Sequence, residues 1–411
     1  MLKKMVGAVA LATALGAAPG LGSAAARPSY RPDPVVIAIV DITGLNVLHE
    51  EFAASETLTL PADMPAATSI RLPGGSTFEE RLAAAQDGPL GKLKGERLYS
   101  IDSTRIAGIY FAAHGRHSIV ESRSHGTGTS SSAVGSTVGT SPNALLVYVP
   151  ATGRDAWEWL VNQDWIDIVS ASYTAITEDG TCPEADAVRK IVRRGRLVFA
   201  AAGNQEPFWP AMSPTGLAEA YQVGGVDRNG RTYLPPGEDG TATDPIRFTD
   251  TTTRPYETGD RFIRDIADPD DDSRIVRAGG TSFAAPATAG RAAGLIELAR
   301  RILRTPPGDD SEALASLGPG GKVPPRGPLA DGELTNEELI DLLHHTAAPA
   351  EPASPFRYLV EGYGAHDAAT TRIAAGVLSG SAVAPARPEE DQMNEWVEDS
   401  RRLLFPSERC N

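Results

Sequence analysis

Short apolar runs with no polar alternation punctuate this chain, and few folds accommodate them. Val35-Val36-Ile37-Ala38-Ile39-Val40 is the clearest, and it ends abruptly in Asp41. Similar runs follow at Ala144–Val149, Ile166–Val169, Leu197–Ala202 and Tyr221–Val226. A strand without alternation has both faces covered, as inside a parallel sheet. Helical patterns lie between the runs, clearest at Arg154–Asn162 and Pro183–Arg194, with later ones at Ser282–Leu303 and Asn336–His344. Strand alternating with helix predicts an α/β fold with a doubly wound, mostly parallel sheet and helices on both faces. In such open sheets, function gathers beyond the carboxyl ends of the strands.

Charge narrows the partners. The 411 residues carry 38 basic and 53 acidic side chains, a net charge of −15, which argues against nucleic acid as a partner. Residues 1–26 have the form of a secretory signal: Lys3 and Lys4, an apolar stretch from Met5 to Leu21, then Ala24-Ala25-Ala26 as the small-residue cleavage pattern. Gly16, Pro19 and Gly20 interrupt that stretch, which is short for a membrane span, and no later segment is long enough for one. The expectation is a secreted, extracellular protein with no membrane association in its mature form. From Ser379 to Asn411 the composition shifts to an acidic tail.

Three polar residues with complementary chemistry, Asp41, Asn204 and Ser282, stand after predicted strands and at a predicted helix start. Ser282 opens an Ala-rich helix in Gly279-Gly280-Thr281-Ser282-Phe283-Ala284-Ala285-Pro286, and Pro286 is expected in the first turn. A serine hydroxyl needs a base to take its proton. His125, in Ser124-His125-Gly126-Thr127-Gly128-Thr129, is that base, and Asp41 would hold its tautomer and stabilise its charged form. Asn204, after Ala201-Ala202-Gly203, could donate its amide to an oxyanion. The order Asp, His, Ser is that of subtilisin, and there is no Gly-x-Ser-x-Gly elbow.

These segments resemble those of the subtilisin-like serine peptidases, the subtilases. The strongest match is Gly280-Thr281-Ser282-Phe283-Ala284-Ala285-Pro286-Ala287-Thr288-Ala289-Gly290. Weaker echoes are Asp167-Ile168-Val169-Ser170-Ala171-Ser172, Gln222-Val223-Gly224-Gly225-Val226-Asp227 and the closing Gly362-Tyr363-Gly364-Ala365-His366-Asp367-Ala368-Ala369. The resemblance spans about residues 35–378 and implies an exported serine endopeptidase acting on polypeptides. Asp41, His125 and Ser282 would form its triad, and Asn204 its oxyanion donor. It also implies that Ser172, Tyr173 and Thr174 pair with the substrate backbone and wall the first specificity pocket, which Thr174 would reshape where glycine is usual. Residues 27–378 would be the catalytic domain, with an insertion near 56–98 that lengthens the interval from Asp41 to His125. The first motif, Asp41-Ile42-Thr43-Gly44, is one residue longer than the family's Asp-Thr/Ser-Gly. Whether Asp41 reaches the histidine then depends on a bulge absorbing the extra residue. Residues 27–40 leave no room for the inhibitory propeptide common in the family. The altered motif and the missing propeptide keep open a second reading, an inactive subtilase fold used as a binding module.

Asp268-Pro269-Asp270-Asp271-Asp272 suits either a structural calcium or a solvated acidic loop, and no cofactor is required for the chemistry. The Gly/Ser run from Gly126 to Gly139 lacks the Gly-Lys-Ser/Thr step of a phosphate-binding loop. Cys182 and Cys410 could form one bridge that pins the tail to the body, or remain two thiols. Nothing in the sequence speaks to oligomeric state.

Overall fold

The computed structural model of the protein describes residues 34–54, 58–121, 123–150, 153–173, 175–176, 182–204, 212–217, 219–228, 258–302, 334, 336–348, 363–379 and 381–382. Its centre is a nine-stranded sheet. The strands are β1 (Val36–Val40), β2 (Thr68–Ile70), β3 (Leu98–Ile101), β4 (Ile106–Tyr110), β5 (Leu145–Val149), β6 (Ile168–Ala171), β7 (Leu197–Ala201), β8 (Tyr221–Val226) and β9 (Thr258–Arg261). They lie in the order β9-β8-β7-β6-β1-β5-β4-β3-β2, and every neighbouring pair is parallel except β3 with β4. From β1 the chain runs to one edge and returns through β5 to the side of β1. It then crosses to β6 and works outward to β9. Function is expected where that winding reverses, beside the end of β1.

The lack of alternation in β1 has a direct cause. Ile37 and Ile39 enter the core on one face while Val36, Ala38 and Val40 enter the core on the other, all fully buried. Each such valine or isoleucine contributes roughly 1.5–3 kcal/mol by leaving water. Helices α3 (Arg154–Val161) and α4 (Ala185–Arg193) cover the second face through Trp157, Leu160, Val188 and Ile191. The first face packs against α2 (His125–Val134), α5 (Thr281–Ile302), α6 (Asn336–Thr346) and α7 (Ala368–Leu378). The doubly wound α/β fold is as expected. Helix α1 (Phe78–Asp87), held by a Thr77–Glu80 capping box, lies between β2 and β3. A hairpin of β10 (Ile263–Ala267) and β11 (Ile275–Gly279) leads into α5, and the Asp-rich stretch 268–272 falls in its turn.

The Gly/Ser run is helical as far as Val134, and residues 126–134 are buried. Its small side chains permit close approach; a Cβ at Gly128 would stand 2.7 Å from both the Phe283 ring and Ile266. Pro286 is not in the first turn but inside α5, five residues past its start at Thr281. Cys182 is disulfide-bonded. Cys410, residues 1–33 and residues 383–411 lie outside the described residues. Among the described residues no helix is long and apolar enough to cross a membrane.

Candidate active site

Asp41 leaves β1 fully buried, so its charge must be met by donors. His125 Nδ1 lies 3.0 Å from Oδ1 and 2.8 Å from Oδ2, the Thr129 hydroxyl donates to Oδ2 at 3.0 Å, and the Ile42 N–H donates to Oδ1 at 2.7 Å. Thr129 stands one helical turn beyond His125 on α2, so one helix face presents both donors to one carboxylate. A donor at Nδ1 fixes the tautomer and leaves Nε2 as the acceptor. Burial alone pushes the His125 pKa down, but the Asp41 hydrogen bond and charge more than offset it, and the result lies above the ordinary histidine value.

The extra residue of the first motif is extruded. Ile42 is 64% exposed, while the buried Tyr148 hydroxyl donates to the carbonyls of Thr43 at 2.8 Å and Gly44 at 3.0 Å. The Gly126 N–H donates to Thr43 Oγ1 at 3.0 Å, which ties the bulge to the start of α2. Asp41 therefore keeps its reach. A cavity of about 390 Å³ opens beside the bulge, lined by Ile42, Thr43, Phe111, Arg116, His117 and Glu121 among others.

Ser282 is the second residue of α5. Its hydroxyl donates to the Ser172 carbonyl at 3.4 Å, and the Ser172 hydroxyl donates to the Ser282 carbonyl at 2.8 Å. Among the described residues no hydrogen bond joins Ser282 to His125. The His125 and Phe283 rings lie 5.4 Å apart between centroids, which sets the imidazole beside the turn that carries Ser282.

Asn204 follows β7 across Gly203, whose φ of +106° suits glycine and turns the chain toward α5. Asn204 Oδ1 accepts from the Thr281 N–H and the Thr281 hydroxyl, each at 2.9 Å, and Thr281 Oγ1 in turn accepts from the Gly203 N–H at 3.0 Å. With Oδ1 so engaged, the amide orientation is set and Nδ2 is the group left to donate. Thr129 and Thr281 were not singled out from sequence. The available signals were spacing, four residues after the histidine and one before the serine.

Ser172 and Tyr173 follow β6, both with buried side chains. The Tyr173 hydroxyl accepts from Trp157 Nε1 at 2.6 Å and donates to Glu184 at 3.3 Å, so the ring belongs to the core. What Tyr173 can offer a substrate is backbone. Thr174 lies outside the described residues. In the acidic turn, Asp268 pairs with Arg274, Asp272 pairs with Arg81, and Asp270 accepts from the Arg123 N–H at 2.8 Å. Asp271 accepts from the Ser273 and Arg274 N–H groups, which hold its pKa below the usual carboxylate value. Among the described residues no group of three or more His, Cys, Asp or Glu side chains is placed to hold a metal ion.

The sequence is similar to the subtilase family over residues 33–364. No curated protein matches it. Among solved structures it is similar to the prenylagaramide maturation protease PagA, at 18% identity and a TM-score of 0.47, covering 85% of this chain and 95% of that one. The patellamide maturation protease PatA matches at 18% identity and a TM-score of 0.46, covering 85% and 98%. The epidermin leader peptide processing serine protease EpiP from Staphylococcus aureus matches at 14% identity and a TM-score of 0.48, covering 85% and 77%. The family match takes in β1 to β9, α1 to α6 and the residues assembled at their ends, and by it the chain belongs to the subtilase family.

Proposed function

We propose that this subtilase is an exported serine endopeptidase whose triad is Asp41, His125 and Ser282. Membership of the family makes it a serine-type peptidase acting on polypeptides; the residues, the internal cleavage and the export are the proposal. Ser282 Oγ turns from the Ser172 carbonyl to attack the peptide carbonyl carbon, and its proton passes to His125 Nε2. Asp41 stabilises the imidazolium that forms. The oxyanion accepts from Asn204 Nδ2 and the Ser282 N–H, at the positive end of α5. His125 then protonates the leaving amine, and water attacks the acyl-enzyme by the same route. The observation that carries this reading is the two-oxygen contact between the buried Asp41 and His125 Nδ1, at 3.0 and 2.8 Å.

A fluorophosphonate is expected to label the purified protein and not its Ser282→Ala variant. A peptide blocked at both ends is expected to be cut internally. A folded protein that does neither would favour the binding-module reading. Export is tested by sequencing the N-terminus of protein recovered from the medium, with cleavage expected after Ala26.

A further inference from the structure

On the reading that Ser282 is the nucleophile, we propose that Ser172 is a positioning residue for it, and that Pro286 creates the need. In an α-helix the carbonyl of residue 282 receives the N–H of residue 286. Residue 286 is proline, inside α5, and has no N–H to give. The carbonyl that loses its helical donor is that of Ser282 itself. The Ser172 hydroxyl supplies the replacement at 2.8 Å, from a side chain only 3% exposed.

The same residue reaches the other half of the site. The Ser172 N–H donates to the Val40 carbonyl at 3.2 Å, and Val40 immediately precedes Asp41. Its carbonyl accepts from the Ser282 hydroxyl at 3.4 Å. Ser172 therefore fastens the end of β1 to the first turn of α5 with three hydrogen bonds. A helix that satisfied the Ser282 carbonyl internally would have no need of a tertiary partner there. Proline instead commits that carbonyl to Ser172, the residue after β6, so the turn holding the nucleophile and its oxyanion-binding N–H is referenced to the strand end rather than to its own helix. Removing the Ser172 hydroxyl leaves the backbone that would meet a substrate intact, but frees the peptide unit of Ser282 to tilt.

The test compares wild type, Ser172→Ala, Pro286→Ala and the double variant by kcat, KM, fluorophosphonate labelling rate and thermal unfolding. Ser172→Ala is expected to lower kcat and the labelling rate about tenfold with KM little changed, the scale of one lost buried hydrogen bond. Pro286→Ala returns an N–H to the Ser282 carbonyl from within the helix, so the double variant is expected to regain most of that loss. An unchanged kcat in Ser172→Ala, a KM that rises as kcat falls, or a double variant as slow as Ser172→Ala would each overturn the proposal. If Ser172→Ala does not fold, Ser172→Cys, a weak donor of similar shape, carries the same comparison with Pro286→Ala. A wild type that is not labelled fails the nucleophile reading and takes this one with it. A labelled wild type with an unaffected Ser172→Ala fails this one alone.

Discussion

Thr281 grips Asn204 twice: its N–H and its hydroxyl both donate to Asn204 Oδ1 at 2.9 Å. The backbone half of that grip survives any substitution of Thr281 except proline, and the hydroxyl half survives only where a hydroxyl is kept. Asn204→Ala is expected to lower kcat about 10²–10³-fold, the usual consequence of losing one oxyanion donor. Thr281→Val keeps the shape and the N–H, so a smaller fall is expected, and Thr281→Ser should restore activity. Steady-state kinetics on a fluorogenic peptide decide it. A Thr281→Val variant as slow as Asn204→Ala would show that the hydroxyl does more than orient the amide.

The pH dependence follows from His125. Its pKa lies above the ordinary value, because the Asp41 hydrogen bond and charge outweigh the opposing effect of burial. The base must be neutral, so kcat/KM should rise with pH through a value above about 6.5. An acid limb below that value would contradict the assignment. Stability runs the other way. A pKa raised on folding means the Asp41–His125 pair contributes fully below the unfolded value and fades as pH rises through the folded one. Urea unfolding of wild type and His125→Ala across that range should converge at high pH.

Asp260 anchors a separate buried charge cluster. It is fully buried on β9 and accepts from Arg264 and Arg291, each at 2.8 Å, while Arg291 also donates to Thr371 on α7 at 3.2 Å. Burial alone would raise the Asp260 pKa, but the charges of Arg291 and Arg264 bring it below the usual value. Asp260→Ala strands two guanidinium groups and is expected to cost about 3–5 kcal/mol in urea unfolding. The contribution of the native cluster is present above the unfolded carboxylate pKa and is lost as pH falls through the depressed folded value. A loss below about 1 kcal/mol would mean that the arginines find other partners or water.

Cys182 is disulfide-bonded, and Cys410 is the other cysteine of the sequence. Thiol titration of the oxidised, denatured protein is expected to find no free thiol. Cys182→Ser is expected to lower stability by about 2–5 kcal/mol, as loss of a bridge closing a long loop does. Two titratable thiols without reductant would remove the bridge.

Strands whose character is local were legible from the chain alone. The unbroken apolar run of β1, the amphipathic turns of α3 and α4, and the motif around each of Asp41, His125, Asn204 and Ser282 sit within a few residues. The hydrophobic period and the turn chemistry that encode them are local as well. β9 was not legible, since Thr258-Gly259-Asp260-Arg261 has no apolar pattern; it is buried because Arg264 and Arg291 neutralise Asp260. Nor was α2, whose glycines and serines disfavour a helix in isolation, while Gly126 and Gly128 leave room for the close approach of Tyr148, Ile266 and Phe283. The extrusion of Ile42, the seat of Pro286 within α5 and the exchange of hydrogen bonds between Ser172 and Ser282 belong to the tertiary structure alone. The first and the last of these join groups far apart in sequence, and the seat of Pro286 follows from α5 starting at Thr281. Which buried carbonyl goes without a donor, and which hydroxyl then answers it, is determined only when β1, β6 and α5 are packed together and water is excluded.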